Sequence, residues 1–347
     1  MKPTEVFEMK PSQKLAMFVV GLSAWSALFV STARAQAINV DAAKKEGSVV
    51  VYGAQVPQAM APMHKGFENK YGIKVEYWRG SSTQVAERAI SEFRAGRPGY
   101  DVVEGNRGVQ LIMKNEGLFQ KFIPPSSEKF PAQFKEKDGL ITAWRALPIS
   151  ILYNTDMVKA ADAPKTLDDL LSPKWTGKIS MPDPTRHTTT AQFLWNVSKF
   201  KGDKWLDYAR GLAKQQPILV ESLATVPTTI IKGEAQVGIT YIKYMKQYKG
   251  PLGYVLMDKY LTDPNYMSLS AKTARPNAAK LYMEYVSSPE GQKAAADQGE
   301  FPMLPGIVPP IKDAEKVVPG MVFMDNPSEE EFKKLMSVTF REMFFGK

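Results

Sequence analysis

Gly47-Ser48-Val49-Val50-Val51-Tyr52 sets a continuous apolar run directly behind a turn-forming pair. A strand of a parallel sheet, covered on both faces, reads this way, whereas a half-exposed strand alternates. Downstream, Met60, His64, Phe67 and Tyr71 recur at helical spacing and stop at Gly72. Ile73, Val75 and Tyr77 then alternate with Lys74 and Glu76, the pattern of a second strand. Gly80-Ser81-Ser82-Thr83 opens a helix whose face carries Val85, Ala86, Ala89, Ile90 and Phe93, and Asp101-Val102-Val103 is a third strand. A β-α-β-α-β order requires crossover helices packed on a parallel or mixed sheet.

The same grammar returns from about residue 146. Ile149 to Tyr153 and Lys178 to Met181 read as strands, and Trp205, Leu206, Ala209 and Leu212 as a helix face. Ile218-Leu219-Val220, a helix from about Thr225 to Lys232, and Gln236 to Thr240 make a further β-α-β unit. The last third turns helical, with predicted caps at Ser288-Pro289 and Asn326-Pro327. The chain therefore reads as two α/β halves.

Upstream, Lys10 and Lys14 precede the uncharged run Leu15 to Val30, followed by Ala33-Arg34-Ala35 and, one step on, Ala35-Gln36-Ala37. A basic start, an apolar centre and a small-x-small site form a secretory signal peptide, expected over residues 1–35. The run has 16 residues, short of the roughly 20 that span a bilayer. Cleavage removes four basic and two acidic residues and lowers the net charge from +9 to +7. With no cysteine in the 347 residues, lipid attachment at the cleavage point, disulfides and thiolate metal sites are excluded. A soluble periplasmic protein is expected. Its basic residues are scattered among acidic ones, so the charge points to a solvated surface biased toward anions and not to nucleic acid.

Several phrases share one context. Leu152-Tyr153-Asn154 is followed by Pro164-Lys165-Thr166-Leu167-Asp168-Asp169-Leu170, then Ser172-Pro173-Lys174-Trp175-Thr176-Gly177-Lys178-Ile179 and Asp183-Pro184. Gly233-Glu234-Ala235-Gln236-Val237-Gly238-Ile239, Asn277-Ala278-Ala279-Lys280 and Ser288-Pro289-Glu290-Gly291-Gln292 complete the series. Their order across roughly residues 48–310 resembles the ferric-iron-type extracellular solute-binding proteins of ABC importers, a group that also includes phosphonate, thiamine and sugar-phosphate binders. The resemblance implies a type II periplasmic-binding fold: two α/β lobes joined by crossing strands, with ligand in the interlobe cleft. It places the first lobe at 37–145 plus 266–347 and the second at 146–265. The chain would cross near Ala146–Tyr153 and return near Asp263–Ser270.

Ligands of open α/β sheets lie beyond the carboxyl ends of strands, where helix starts point free N–H groups into the crevice. By that rule the candidate ligand-binding residues are Gln55, Ser81, Ser82, Asn106, Arg107, Thr185, Arg186, His187, Thr188, Ser222, Thr225, Tyr241 and Tyr244. Ser81, Ser82, Thr188 and Thr225 also read as ordinary N-caps. Arg107 and Arg186 offer bidentate donors to a carboxylate or phosphonate, or pair on the surface. By the resemblance, iron-binding relatives carry a His after the first-strand loop, a Glu after the third strand and an adjacent Tyr-Tyr pair. Val56, Asn106 and Lys243-Tyr244 stand at those positions here. Neutral and cationic groups in place of hard anionic ligands favour an anion bound without metal; in the iron alternative, Tyr241 and Tyr244 are the ligands.

The expected function is hinge closure around a small anionic solute, by a monomer that delivers it to a permease and ATPase and needs no cofactor. The competing class is an exported enzyme, but no G-x-S-x-G elbow, H-E-x-x-H, Walker or dinucleotide fingerprint is present.

Overall fold

The computed structural model describes residues 38–346; the expected signal peptide, 1–35, lies outside them. The fold opens with α1 (Val40–Glu46), whose start is capped by the Asn39 side chain. There follow β1 (Ser48–Gly53), α2 (Pro57–Tyr71), β2 (Lys74–Arg79), α3 (Ser82–Arg94), β3 (Val102–Asn106), α4 (Arg107–Asn115) and β4 (Phe119–Gln120). β1 pairs parallel with both β2 and β3, so each helix between them is a crossover. The capping box at α3 is complete: Ser81 Oγ accepts from the Gln84 N–H at 3.2 Å and Gln84 Oε1 accepts from the Ser81 N–H at 2.8 Å.

The chain leaves this sheet along β5 (Thr142–Asn154), a strand of 13 residues. Its first half pairs antiparallel with β10 (Tyr260–Ser270), and its second half, Ile149 to Tyr153, pairs with β8 (Val237–Tyr241) in a second sheet. One strand thus belongs to both lobes. β6 (Ile179–Pro182), α5 (Thr188–Asn196), α6 (Ser198–Lys201), α7 (Trp205–Lys214), β7 (Ile218–Val220) and α8 (Val226–Ile231) build the second lobe with β8. β6 lies parallel between β7 and β8. Gly177, at φ 71°, takes the left-handed turn into β6, while buried Trp175 anchors the preceding segment.

After α9 (Tyr244–Gln247), β9 (Leu252–Tyr254) still pairs with the β5 half of the second sheet, whereas Tyr260 already pairs in the first. The return therefore falls between Tyr254 and Tyr260, ahead of the 263–270 expected from sequence. α10 (Pro276–Ser287), α11 (Pro289–Asp297), β11 (Phe301–Pro302), α12 (Ala314–Val317) and β12 (Met321–Phe323) rejoin the first lobe, and α13 (Glu329–Lys334) and α14 (Phe340–Phe345) end the fold. These last two helices do not complete the first lobe. Leu335 and Phe340 are buried with Trp175, Tyr208 and Leu212 in the second-lobe core, because the apolar face of α7 would otherwise be uncovered. The cap of α13 is Ser328, whose Oγ accepts from the Glu331 N–H; Asn326 has another role. Among the described residues no helix is long and apolar enough to cross a membrane.

Close packing in the second sheet makes one position testable. A Cβ on Gly238 would lie 2.5 Å from Val226 Cγ1 and 2.9 Å from the Ser180 carbonyl oxygen. Gly238→Ala is expected to destabilise the fold by about 1–3 kcal/mol through overpacking, seen as a lower urea midpoint with an unchanged slope. An unchanged midpoint would mean that α8 can move off the sheet.

Candidate functional site

Two groups of residues lie between the lobes. The first lines a cavity of about 540 Å³. One wall is first-lobe: Ser82, Thr83, Ala86, Glu87 and Ile90 of α3, with Asn106, Gly108, Val109, Leu111 and Ile112 from β3 and α4. The other is Thr188 and Gln192 of α5 with Asn326, Pro327, Glu329 and Phe332 from the C-terminal segment that packs on the second lobe. The starts of α3, α4 and α5, helices of 13, 9 and 9 residues, all reach this space. Each brings unpaired N–H groups and the positive end of a helix dipole.

Local chemistry sets the wall. Asn106 caps α4, its Oδ1 accepting from the Val109 N–H at 3.2 Å. His187 caps α5, its Nδ1 accepting from the Thr190 N–H at 3.2 Å. Burial pulls the His187 imidazole down to about 4, so near neutral pH it is an uncharged cap. Gln192 is held by the Asp325 carbonyl and Asn326 Oδ1 at 3.1 and 2.9 Å, which pins α5 to the C-terminal segment.

The second group is a buried polar cluster where the lobes meet at β5. Arg145 donates to Glu300 Oε2 and Asn265 Oδ1, both at 2.8 Å, with Glu104 Oε2 at 3.7 Å. Lys243 and Gln55 both donate to Glu300 Oε1, at 3.1 and 2.7 Å. Glu104 Oε1 accepts from the backbone N–H groups of Ala54 and Gln55 at 2.7 and 3.0 Å. Burial pushes the Glu300 carboxyl up, but Arg145 and Lys243 outweigh it and hold it below its ordinary range. Burial, with Arg145 adding to it, pulls Lys243 down against the attraction of Glu300. Beside them the Tyr241 hydroxyl donates to Asp263 Oδ2 at 3.1 Å. Burial raises the Tyr241 and Tyr244 phenols above their ordinary value.

Of the residues picked from sequence, Ser82, Asn106 and Thr188 line the cavity, and Ser81 caps the helix behind it. Gln55, Tyr241 and Tyr244 belong to or border the buried cluster, with Tyr241 and Tyr244 ring centroids 6.0 Å apart. The Arg107 guanidinium donates to Glu136 at 3.0 and 3.2 Å. The Arg186 side chain is 88% exposed, 3.8 Å from Asp183. Thr185 donates to Asp183 Oδ1 at 2.7 Å, and Ser222 and Thr225 bond each other at 3.1 Å. None of these five lines the cavity. Sequence reasoning passed over the apolar wall, because Ala86 and Ile90 share a helical stripe with true core residues. It passed over Asn326 because Asn-Pro reads as a cap, and over Arg145 and Glu300 because no motif marks them.

Lys243 bears on metal binding. Its ammonium lies 5.8 and 5.4 Å from the Tyr241 and Tyr244 ring centroids. Among the described residues no group of three or more His, Asp or Glu side chains is placed to hold a metal ion.

Comparison with known proteins adds the family. The model for bacterial extracellular solute-binding proteins matches residues 98–322. A protein of Sinorhizobium fredii (strain NBRC 101917 / NGR234), named probable ABC transporter periplasmic-binding protein y4fP, is 30% identical over 119 residues. That match covers 34% of this chain and 33% of the relative, so about a third of its length. Iron-bound HitA from Pseudomonas aeruginosa superposes with a TM-score of 0.70 at 22% identity, over 85% of this chain and 99% of that one. AfuA from Actinobacillus pleuropneumoniae, with fructose-6-phosphate bound, superposes with a TM-score of 0.65 at 22% identity, over 86% and 97%. The two structures share the fold described above, two α/β lobes about a cleft. With the family match covering well over half of its length, the chain belongs to the bacterial extracellular solute-binding proteins.

Proposed function

We propose that the protein is the periplasmic substrate-binding component of an ABC importer, capturing as a monomer a small organic solute with an anionic head. The observation that carries this reading is the meeting of three helix starts, two from one lobe and one from the other, at a single interlobe cavity. Free N–H groups there favour a carboxylate, phosphonate or similar group. Contacts to both walls exist together only when the lobes are closed, so the solute shifts the open–closed equilibrium by that differential affinity. A permease that recognises the closed form would then take up loaded protein in preference to empty. The arginines expected to hold the anion have other partners or face solvent, which leaves the helix starts, Ser82, Thr83 and Thr188 as donors.

The test is native mass spectrometry of protein purified from rich medium, followed by thermal shift with the solute found. At 100 times its dissociation constant a ligand stabilises by about 2.7 kcal/mol. In Thr188→Trp an indole occupies the cavity from an exposed position, so the ligand-free melting point is expected to hold while affinity falls at least 100-fold. An undiminished shift in that variant would reject the cavity as the binding site. The iron reading makes the opposite prediction, a visible tyrosinate charge-transfer band on adding ferric citrate. Tyr241, Tyr244 and Tyr248, in successive ring contact, would supply it.

A further inference from the structure

The cavity wall also restricts what the solute is, and this step rests on the function proposed above. Its charged side chains are Glu87 on the first-lobe wall and Glu329 on the opposite one; no lysine, arginine or histidine lines it. Neither carboxylate is engaged in an ion pair with a cation of the described residues. Away from the helix starts hydrocarbon dominates, with Asn115, Gln192 and Asn326 as the uncharged polar groups: Ala86, Ile90, Leu111 and Ile112 line one wall and Pro327 and Phe332 the other.

We infer that the solute is a monoanion with a hydrocarbon body, and that Glu87 and Glu329 are specificity-determining residues that reject a second negative charge. One carboxylate is met by helix N–H groups and hydroxyls, which supply partial charges only. A second anionic group, on a dicarboxylate or a sugar phosphate, would lie along the apolar wall. No cation lines it there, and a carboxylate stands on either side. Desolvation and like-charge repulsion both then act against binding. The hydrocarbon body of a monoanion, by contrast, buries against α3, α4 and Phe332 and gains from leaving water. Because Glu87 and Glu329 sit on different lobes, a doubly charged solute would also be penalised most in the closed form, which brings the two together.

The experiment is titration calorimetry of the mature chain with phenylacetate and 4-methylpentanoate as monoanions, and glutarate and glucose 6-phosphate as dianions. The monoanions are expected to bind at least tenfold more tightly than either dianion. The double variant E87Q/E329Q is expected to narrow that gap at least tenfold by tightening the dianions. Phe332→Ser should weaken the monoanions and leave glutarate unaffected. A dianion that binds as tightly as the monoanions, and is lost in Thr188→Trp, would overturn this inference while leaving the cleft as the site. A gap untouched in E87Q/E329Q would also overturn it. Failure of all four probes would overturn it as well; a copurified solute that stayed bound in Thr188→Trp would instead reject the cavity as the site.

Discussion

Arg145→Met is expected to cost about 3–5 kcal/mol of unfolding free energy at pH 7, because it strands buried charge. The Arg145 side chain is 2% exposed and its guanidinium serves Glu300, Asn265 and Glu104 while lying 4.6 Å from the Trp144 ring centroid. Methionine keeps much of the volume but none of the donors. Glu300 would retain Lys243 and Gln55, but Glu104 Oε2, which already accepts no hydrogen bond, would lose the guanidinium 3.7 Å away. The measurement is urea denaturation of single and double variants. R145M/E300Q should be less destabilised than the two single changes summed, since each partner removes the other's unmet charge. A loss under 1 kcal/mol for Arg145→Met would show that water reaches the cluster and that it does not bind the lobes together.

The second large effect is a pH dependence centred on Asp263. Burial lifts its carboxyl from an ordinary 3.8 to about 6, with the Tyr241 hydroxyl bonded to Oδ2 and nothing bonded to Oδ1. The folded state thus holds this proton more tightly than the unfolded chain. Its contribution to stability is present below the unfolded pKa and is lost as pH rises through the folded one, between about 4 and about 6. A shift of this size corresponds to about 3 kcal/mol. Asp263→Asn should therefore gain about 2–3 kcal/mol on the wild type between pH 4 and pH 7.5. The wild-type profile also carries an opposite trend. Buried His64, its imidazole pulled down to about 4 by desolvation, stays neutral in the fold and costs stability as pH falls from 6.5. The difference between wild type and Asp263→Asn isolates the carboxyl. If the two profiles run parallel across that window, Asp263 is ionised in the fold and the burial argument fails.

Local pattern carried most of the fold. Unbroken apolar runs such as Val49 to Tyr52 announced strands covered on both faces, and capping residues such as Ser81 and Ser288 marked helix starts within a residue. The placing of α13 and α14 was not legible, because an amphipathic helix states that it needs a partner without stating which one. α14 found α7. The site divided the same way. Ser82, Asn106 and Thr188 follow from the rule that helix starts gather at strand ends. The cluster around Glu300 joins residues up to 245 positions apart, and only the folded chain brings them together. Arg107 divides for a related reason: its position after β3 suggested an anion, and in the fold its guanidinium meets Glu136, 29 residues on.

The strand shared by the two sheets changes partners between Pro148, opposite Thr262, and Ile149, opposite Tyr241. Proline has a fixed φ and no amide hydrogen. Its carbonyl still accepts from the Ile242 N–H at 3.1 Å, so the joint is tied on one side only. A swivel between the two halves of the molecule that turns about ψ of Pro148 has no donor of that residue to tear away. The imino acid thus leaves ψ as the one soft backbone torsion of that residue.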